Sequence, residues 1–269
     1  MLKDVTLGQF FPGSSLIHRL DPRVKIIASV AFIVSLFVSS SFYGYGICTL
    51  FLIWCIATSK ISPKMIIKSL KPLVIILIFT GVLNMLYTPG HALVSFWVFN
   101  ITREGLYTAA FMMIRIILLI TATSMLTYTT SPIALTDGLE RLLSPLKKLK
   151  VPVHEFSMMM TIALRFIPTL IEETDKIMAA QKARGADFES GNLISRAKAL
   201  IPILVPLFIS AFRRADELAT AMECRLYHGG EGRTRLNTLK MMALDWRALV
   251  FMALFCSIVI NAERIVAMI

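Results

Sequence analysis

The interval between Lys25 and Lys60 contains no charged residue, and this run constrains the fold of the chain more than any other feature. A helix needs ~20 apolar residues to cross a lipid bilayer, so the interval is too long for one span and suits two. Residues 43–46 (Tyr-Gly-Tyr-Gly), near its middle, combine turn-forming glycines with aromatic side chains of the kind found at membrane interfaces. We therefore predict a membrane hairpin with spans near residues 24–41 and 44–59.

Three further apolar segments extend this pattern along the chain. Spans are predicted from Pro72 to about Tyr87, from about Gly105 to Tyr128, and over about residues 244–262. Hydrophobic residues make up 56% of the chain and charged residues only 17%, which lies well outside the averages of soluble globular proteins. The composition therefore indicates an all-α, polytopic membrane protein with about five transmembrane helices.

The distribution of basic residues predicts the orientation in the membrane. The net charge is +11, and an excess of Lys and Arg in a membrane protein marks its cytoplasmic loops. The basic residues are not interleaved with exposed aromatics, so nucleic-acid binding is not favoured. Four lysines with no acid among them follow the hairpin: Lys60, Lys64, Lys68 and Lys71. This loop is predicted to be cytoplasmic, which leaves the N-terminus inside and, after five spans, the C-terminus outside.

The segment between the fourth and fifth spans differs in character, because it is rich in Lys and Arg and its apolar runs are short. We therefore divide the chain into a four-span membrane domain (1–130), a cytoplasmic-side domain of three amphipathic coupling helices (131–240) and a C-terminal transmembrane helix (241–269). Ser131 and Pro132 form a favourable start for the first amphipathic helix. Its predicted apolar face consists of Leu135, Leu139, Leu142, Leu146 and Leu149.

Two stretches of this middle segment read as copies of each other at an offset of 41 residues. The coinciding residues are Asp175 with Asp216, Ala180 with Ala221, and Arg184 with Arg225. Each stretch is the charged second half of a helix whose first half is apolar. The helices are predicted from about Val153 to Arg184, followed by Gly185 in a left-handed conformation, and from an Asn192 N-cap to about Leu226.

An Arg in the last turn of a helix has an ordinary explanation, since a cation complements the helix dipole. Capping alone does not require a matching Asp and Ala upstream in both copies. Ala183 and Cys224 are small enough to let a partner approach, and a guanidinium offers five donors suited to carboxylate or carbonyl groups. We therefore predict that both helix ends dock onto a partner. Pairs four residues apart, Glu172 with Lys176 and Arg213 with Glu217, are predicted to stabilise each helix surface.

The apolar first halves of these helices, about residues 156–171 and 199–212, contain Pro168, Pro202 and Pro206. The second is short for a span, and a crossing would place the following basic residues outside, against the charge bias. We predict that both helices remain on the cytoplasmic side, partly sunk into the membrane. Residues 201–208 are apolar all round, so either a second membrane subunit or the chain's own spans must cover them.

The sequence contains no recognisable catalytic constellation: Walker, GxSxG and HExxH motifs and paired intramembrane carboxylates are all lacking. The histidines lie in separate loops and helix ends, and the four cysteines lack the spacing of a metal site or a disulfide framework. We predict neither enzymatic activity nor a bound metal or cofactor. Arg115, inside the fourth span, is either functional or held by snorkelling and contacts within the bundle.

Five segments carry a resemblance to a known family. They are residues 12–23 (with His-Arg-Leu-Asp-Pro-Arg at its end), 163–168 (Ala-Leu-Arg-Phe-Ile-Pro), 183–188 (Ala-Arg-Gly-Ala-Asp-Phe), 215–219 (Ala-Asp-Glu-Leu-Ala) and 227–234 (Tyr-His-Gly-Gly-Glu-Gly-Arg-Thr). Together they resemble the transmembrane coupling subunit, or T component, of energy-coupling factor transporters, a branch of the ABC importers. The resemblance extends over nearly the whole chain and is nearest to the shared-module type of Gram-positive bacteria.

The resemblance implies a complex in which two cytosolic ABC-type ATPases and a small substrate-binding membrane subunit, the S component, assemble on this chain. ATP would be bound by the ATPases. The family's two Ala-Arg-Gly motifs end its coupling helices and enter grooves on the ATPases. They fall on Ala183-Arg184-Gly185 and on Cys224-Arg225-Leu226, and the second departs from the pattern at both flanks. Docking should survive because the Arg is kept, whereas the tightness of the second helix cap is in question.

The apolar halves of the two helices would then form the platform for the S component. The platform residues implied are Phe166, Pro168, Pro202, Pro206 and Phe208. The expected function is non-catalytic coupling in the uptake of a vitamin or another micronutrient across the cell membrane. A stand-alone channel or secondary transporter, the alternative, would need inverted repeats of spans and polar midplane residues, whereas the repeat in this chain lies outside the predicted spans.

Overall fold

The computed structural model describes residues 10–96, 99–188, 192–229 and 239–268. Within these ranges the regular secondary structure is helical apart from one short antiparallel hairpin, in agreement with the predicted all-α class. The helices are α1 (Leu16–Arg19), α2 (Pro22–Val38), α3 (Phe42–Ser59), α4 (Pro63–Leu70), α5 (Val74–Tyr87), α6 (Arg103–Thr129), α7 (Pro132–Leu143), α8 (Val153–Ala183), α9 (Leu193–Cys224) and α10 (Ala243–Met268). The strands β1 (Ala92–Phe96) and β2 (Phe99–Thr102) connect α5 to α6.

The described chain separates into two compact units. The membrane unit comprises residues 10–139 and 239–268, so α10 packs with the helices of the N-terminal half. The middle unit comprises residues 140–229 within the described ranges and contains α8 and α9.

Five helices of the described chain are long and apolar enough to cross a membrane, and the protein is a multi-pass membrane protein. They are Phe42–Ser59, Pro63–Tyr87, Arg103–Thr129, Ile194–Cys224 and Ala243–Ile265. Five spans were predicted, and five such helices are found, but they are not all the same helices. Helix α2, predicted as a span, has only 17 residues and is ~26 Å long. Helix α9 is long and apolar enough to cross a membrane, although it is predicted to stay at the cytoplasmic side.

The core of the membrane unit is formed by aromatic and aliphatic side chains of α2, α3, α6 and α10. The ring centroids of Phe51 and Phe255 are 4.2 Å apart, and those of Phe32 and Phe255 are 6.0 Å apart. Leu36 and Val259 are fully buried beside them. These contacts join the two helices of the predicted hairpin to α10 in one core.

The turn of the hairpin lies earlier than predicted. Helix α2 ends at Val38 and α3 begins at Phe42, so the Tyr-Gly-Tyr-Gly segment lies inside α3. Ser41 caps α3, because its Oγ accepts a hydrogen bond from the Gly44 N–H at 3.2 Å. Gly44 serves close packing rather than the turn, since a Cβ there would lie 2.6 Å from Ser39 Oγ and closer still to the Glu263 carboxylate.

The first amphipathic helix is shorter than predicted. Helix α7 ends at Leu143, and a 3₁₀ segment follows over Ser144–Leu149. Pro145 explains the change, because it lacks the N–H that would continue the α-helical ladder. Leu146 and Leu149 therefore do not share one continuous helix face with Leu135.

Candidate functional site

Helices α8 and α9 pack against each other in antiparallel fashion within the middle unit. The Gln181 side chain of α8 contacts Pro202 of α9, whereas Phe166, earlier on α8, contacts Arg214, later on α9. Residues later in α8 therefore contact residues earlier in α9, as in an antiparallel pair. The C-terminal ends of the two helices therefore lie at opposite ends of the pair.

Glu173 of α8 lies at the centre of this contact. Its Oε2 accepts a hydrogen bond from Arg214 Nη2 at 3.1 Å, and its Oε1 accepts one from the Ser210 hydroxyl. The Arg214 guanidinium also lies over the Phe166 ring, with Cζ 5.7 Å from the ring centroid. Both charged side chains are largely shielded, at 28% and 24% exposure. The contact therefore combines an ion pair with a cation–π interaction at a partly desolvated position.

Sequence reasoning missed this ion pair. The surface pairs predicted along each helix, Glu172 with Lys176 and Arg213 with Glu217, are not among the ion pairs formed within the described residues. One signal was present in the repeat, because the offset of 41 residues also superposes Glu173 on Arg214. Opposite charges at equivalent positions of two copies are expected to meet when the copies cross antiparallel near those positions.

A second interhelical contact satisfies a carbonyl that a proline leaves free. Pro206 has no N–H, so the carbonyl of Pro202, four residues earlier, loses its helical partner. Gln181 Nε2 donates a hydrogen bond to this oxygen at 3.3 Å. A side chain of α8 thus replaces the backbone hydrogen bond that Pro206 removes from α9.

The end of α8 forms a Schellman motif around the first Arg. The N–H of Gly185 donates to the Lys182 carbonyl and that of Ala186 to the Gln181 carbonyl, both at 3.0 Å. Gly185 has φ = +88°, which confirms its predicted left-handed conformation. Arg184 is the last residue before this reversal and is exposed.

The end of α9 forms the same motif around the second Arg. The N–H of Leu226 donates to the Glu223 carbonyl at 2.8 Å, and that of Tyr227 to the Met222 carbonyl at 3.1 Å. Leu226 has φ = +56° and is 77% exposed. The cap that the sequence put in question is therefore formed, with a leucine in a conformation that favours glycine.

The two arginines occupy equivalent and accessible positions. Arg184, Arg225 and the small residues before them, Ala183 and Cys224, are exposed. Neither guanidinium forms an ion pair with residues 140–188 or 192–229. Arg184 lies eleven residues after Glu173, and Arg225 lies eleven residues after Arg214. Eleven residues span ~16 Å along a helix axis, so the two helix ends are at most ~33 Å apart.

The apolar halves of the helices differ in how much of their surface is covered. On α9, Phe208 is 60% exposed and Pro202 and Pro206 are also exposed, whereas Ile203 is buried. On α8, Pro168 is exposed and Phe166 is half-buried below Arg214. Phe166 thus contributes to the contact between the helices, while the α9 residues present an uncovered apolar surface.

The histidines and Arg115 have ordinary surroundings. No group of three or more His, Cys, Asp or Glu side chains is arranged to hold a metal ion within the described part of the chain. His154 Nδ1 lies 3.1 Å from Glu140 Oε1. Arg115 Nε donates to the Tyr45 hydroxyl at 2.5 Å, and its guanidinium lies over the rings of Phe37 and Tyr45. Aromatic contacts and one hydrogen bond thus account for this half-buried cation.

Comparison with known proteins confirms the resemblance. The family described as CbiQ, cobalt transport protein, matches residues 13–236. The chain is 57% identical over 262 residues to the energy-coupling factor transporter transmembrane protein EcfT of Clostridium kluyveri, covering 97% of this chain and 95% of that protein. It is 56% identical over 249 residues to the protein of that name from Thermosediminibacter oceani (93% and 94% covered), and 46% identical over 245 residues to that from Lactococcus lactis (91% and 92%). On these matches, the chain belongs to the CbiQ family and is a transmembrane component of the energy-coupling factor transporter type.

Proposed function

We propose that this chain couples two cytosolic ATPases to a small substrate-binding membrane subunit, and that Arg184 and Arg225 are its two docking points. The observation that carries the proposal is the repeated helix end. Both arginines precede a Schellman motif, both are exposed, and they lie at opposite ends of one antiparallel pair. Two similar ends directed apart suit two similar partners, as the two nucleotide-binding subunits of an ABC-type transporter would be.

The chemistry of docking follows from the helix ends. Residues Ala183-Arg184-Gly185 and Cys224-Arg225-Leu226 would enter grooves on the ATPases, where the guanidinium fork can pair with carboxylates or carbonyl oxygens. The flanking residues in the first copy are small enough for close approach. Leu226 is larger and 77% exposed, so the groove that receives the second copy should include an apolar wall.

Force would pass between the docking points through the contact of α8 with α9. When ATP binding and hydrolysis change the distance between the ATPases, the two helix ends must move with them. The Glu173–Arg214 pair and the Gln181–Pro202 hydrogen bond hold the helices together near their crossing. Motion of the ends is therefore transmitted to the apolar halves as a rotation of one helix against the other.

The exposed apolar surface of α9, which includes Pro202, Pro206 and Phe208, would carry the S component. An apolar surface of this kind needs a partner or lipid as cover. Phe166 and Pro168 of α8 would contribute at its edge. Substrate recognition, for a vitamin or another micronutrient, would belong to the S component, and ATP to the ATPases, so this chain would bind no cofactor and catalyse no reaction itself.

The orientation follows from the basic residues. Lys60, Lys64, Lys68 and Lys71 are exposed and would lie in the cytoplasm by the positive-inside bias. The N-terminus and α7 to α9 would share that side. With α2, α3, α5, α6 and α10 as spans in the cell membrane, the C-terminus would be external.

Capture of the two ATPases by the purified full-length chain tests the proposal. We expect wild-type protein to retain both ATPases and the Arg184→Glu, Arg225→Glu double variant to lose them. The matched control is Arg165→Glu with Arg213→Glu, which makes the same charge change at exposed positions of the same helices, away from their ends. Equal capture by all three proteins would move the docking site elsewhere, and capture by none would favour a stand-alone transporter.

A further inference from the structure

The membrane unit contains a cavity that the coupling function does not use. Its volume is about 330 Å³, within the range of roughly 300–1,000 Å³ found for small-molecule sites. It lies at the end of the bundle where α2 and α10 begin and α3 and α6 end. Its walls are mainly apolar and include Val24, Phe32, Leu52, Met125 and Met252.

The exposed lining residues locate the opening of the cavity. Trp54 of α3 and Phe251 of α10 line it, are 52% and 45% exposed, and have ring centroids 5.1 Å apart. Leu52 and Met252, beside them in sequence, are buried. Leu16 of α1 also lines the cavity and is 57% exposed, so the opening extends from the side of α3 and α10 toward α1. The side of α3 and α10 is an outer surface of the helix bundle, which faces lipid in a multi-pass membrane protein.

Tryptophans place this opening near the membrane boundary. Trp54 lies near the end of α3, and Trp246 lies in the first turn of α10, where it is 61% exposed. Exposed tryptophans on transmembrane helices collect at the level of the lipid headgroups. The mouth of the cavity is thus at headgroup level, and its apolar interior extends toward the hydrocarbon.

The rim of the cavity carries a cationic side chain. Arg247 lines the cavity, is exposed, and forms no ion pair or side-chain hydrogen bond within the described residues. Lys25, also in the wall, is already engaged, since its Nζ donates to the Thr129 and His18 carbonyls at 2.8 and 3.2 Å. An apolar interior with a free guanidinium at the mouth matches an amphiphile that has an anionic head and a hydrocarbon tail.

We propose that this cavity holds one acyl chain of an anionic phospholipid from the surrounding bilayer, with the lipid phosphate paired to Arg247. The mouth of the cavity lies at headgroup level, next to the hydrocarbon of the bilayer, and an acyl chain can enter laterally between Trp54 and Phe251. The charge at the rim selects an anionic headgroup over a zwitterionic one, because a net negative charge adds to the phosphate–guanidinium attraction.

Native mass spectrometry of the full-length protein tests the proposal, with phosphatidylglycerol and phosphatidylcholine supplied as equal parts of mixed micelles. Wild-type protein should retain phosphatidylglycerol in preference to phosphatidylcholine. Arg247→Gln should lower phosphatidylglycerol retention by about fivefold, the factor expected for one cationic side chain near a membrane surface. Arg264→Gln, at an exposed position near the other end of the same helix, is the matched control and should retain the lipid like wild type.

A second variant separates the acyl chain from the headgroup. Ala248→Leu fills part of the cavity without changing charge, so it should lower retention of both lipids; Ser29→Leu, on another wall, serves if the first variant does not fold. Equal phosphatidylglycerol retention by wild type, Arg247→Gln and Arg264→Gln would overturn the proposal. So would unchanged retention in a folded cavity-filled variant, or recovery of a peptide or a non-lipid compound in place of phospholipid.

Discussion

Glu173 and Arg214 occupy equivalent positions of two repeated helices and form an ion pair across the contact between them, with Nη2 3.1 Å from Oε2. A pair between equivalent residues lies on the approximate twofold axis that relates the copies. The distances from this point to Arg184 and to Arg225 are therefore the same along the two helices. The ion pair thus marks the centre of an arrangement whose ends are the two proposed docking points.

Removal of one partner of this pair should weaken the contact between α8 and α9. Arg214→Ala leaves the partly buried Glu173 carboxylate without its charged partner and should lower the free energy of unfolding by about 1–3 kcal/mol. Glu173→Gln should cost less, because the amide still bonds Ser210. Thermal unfolding of the purified protein gives both values, and the double variant gives a coupling energy of about 1 kcal/mol. Glu172→Gln, at the exposed neighbour, is the control, and a coupling energy of zero would contradict the assignment.

Replacement of Leu226 by glycine should stabilise the protein, because Leu226 has a left-handed backbone conformation at φ = +56°. Leu226→Gly removes the steric penalty between Cβ and backbone and should stabilise the end of α9 by about 1 kcal/mol. Gly185→Ala should destabilise the end of α8 by a similar amount. Hydrogen exchange of the Leu226 and Tyr227 amides measures the first effect and that of Gly185 and Ala186 the second. Faster exchange in Leu226→Gly would show that the leucine side chain, rather than the cap, holds this turn.

The hydrogen bond from Gln181 to the Pro202 carbonyl should matter only while Pro206 is present. Gln181→Ala should cost about 0.5–1 kcal/mol in the wild-type background, because it leaves the carbonyl without a partner. In a Pro206→Ala background the new N–H of residue 206 can bond that carbonyl, so the same change should cost nearly nothing. A double-mutant cycle on the melting temperature measures the difference. Equal costs in both backgrounds would mean that Gln181 acts through packing alone.

The sequence was sufficient for features that depend on local chemistry. Asn192 caps α9, its side chain accepting from the Ser195 N–H at 3.2 Å, and Gly185 ends α8 in the left-handed conformation. The apolar runs located the helices of the predicted spans to within a few residues, except that α10 continues to Met268. They did not predict that α2 would be too short to count among the span-length helices, or that α9 would be one of them. These features follow from composition and neighbours within one turn, which a single sequence contains.

Features that depend on how helices pack were not predictable in the same way. The position of the hairpin turn depends on Gly44 packing against Glu263, which is far away along the chain. The partners of Glu173 and Gln181 depend on the antiparallel register of α8 and α9, and helical periodicity does not determine which residues of two helices meet. The surface pairs expected four residues apart, Glu172 with Lys176 and Arg213 with Glu217, are not among the ion pairs of the described residues, whereas the neighbouring residues Glu173 and Arg214 pair between the helices.

The His18 ring links Ser15 and Phe11 at the start of the membrane unit. Its Nδ1 lies 2.6 Å from Ser15 Oγ and its Nε2 lies 3.1 Å from the Phe11 carbonyl. Gly13 leaves room for the ring, since a Cβ at Gly13 would lie 2.8 Å from it. Partial burial, assisted by the nearby charge of Lys25, lowers the pKa of His18 below its ordinary value, although the hydrogen bond to Phe11 opposes this shift. The folded state therefore favours the neutral ring.

A group whose folded-state pKa lies below its unfolded value binds more protons when unfolded, so stability rises with pH between the two values. The contribution of His18 is thus complete above its unfolded pKa of about 6.5 and is lost as the pH falls below that value toward the folded pKa. We expect the melting temperature of wild-type protein to fall more steeply below about pH 6.5 than that of His18→Gln, whose side chain does not titrate. His228→Gln, at an exposed histidine after α9, should follow wild type. If His18→Gln keeps the full wild-type slope, the acid sensitivity belongs to other groups, and the ring at position 18 serves packing alone.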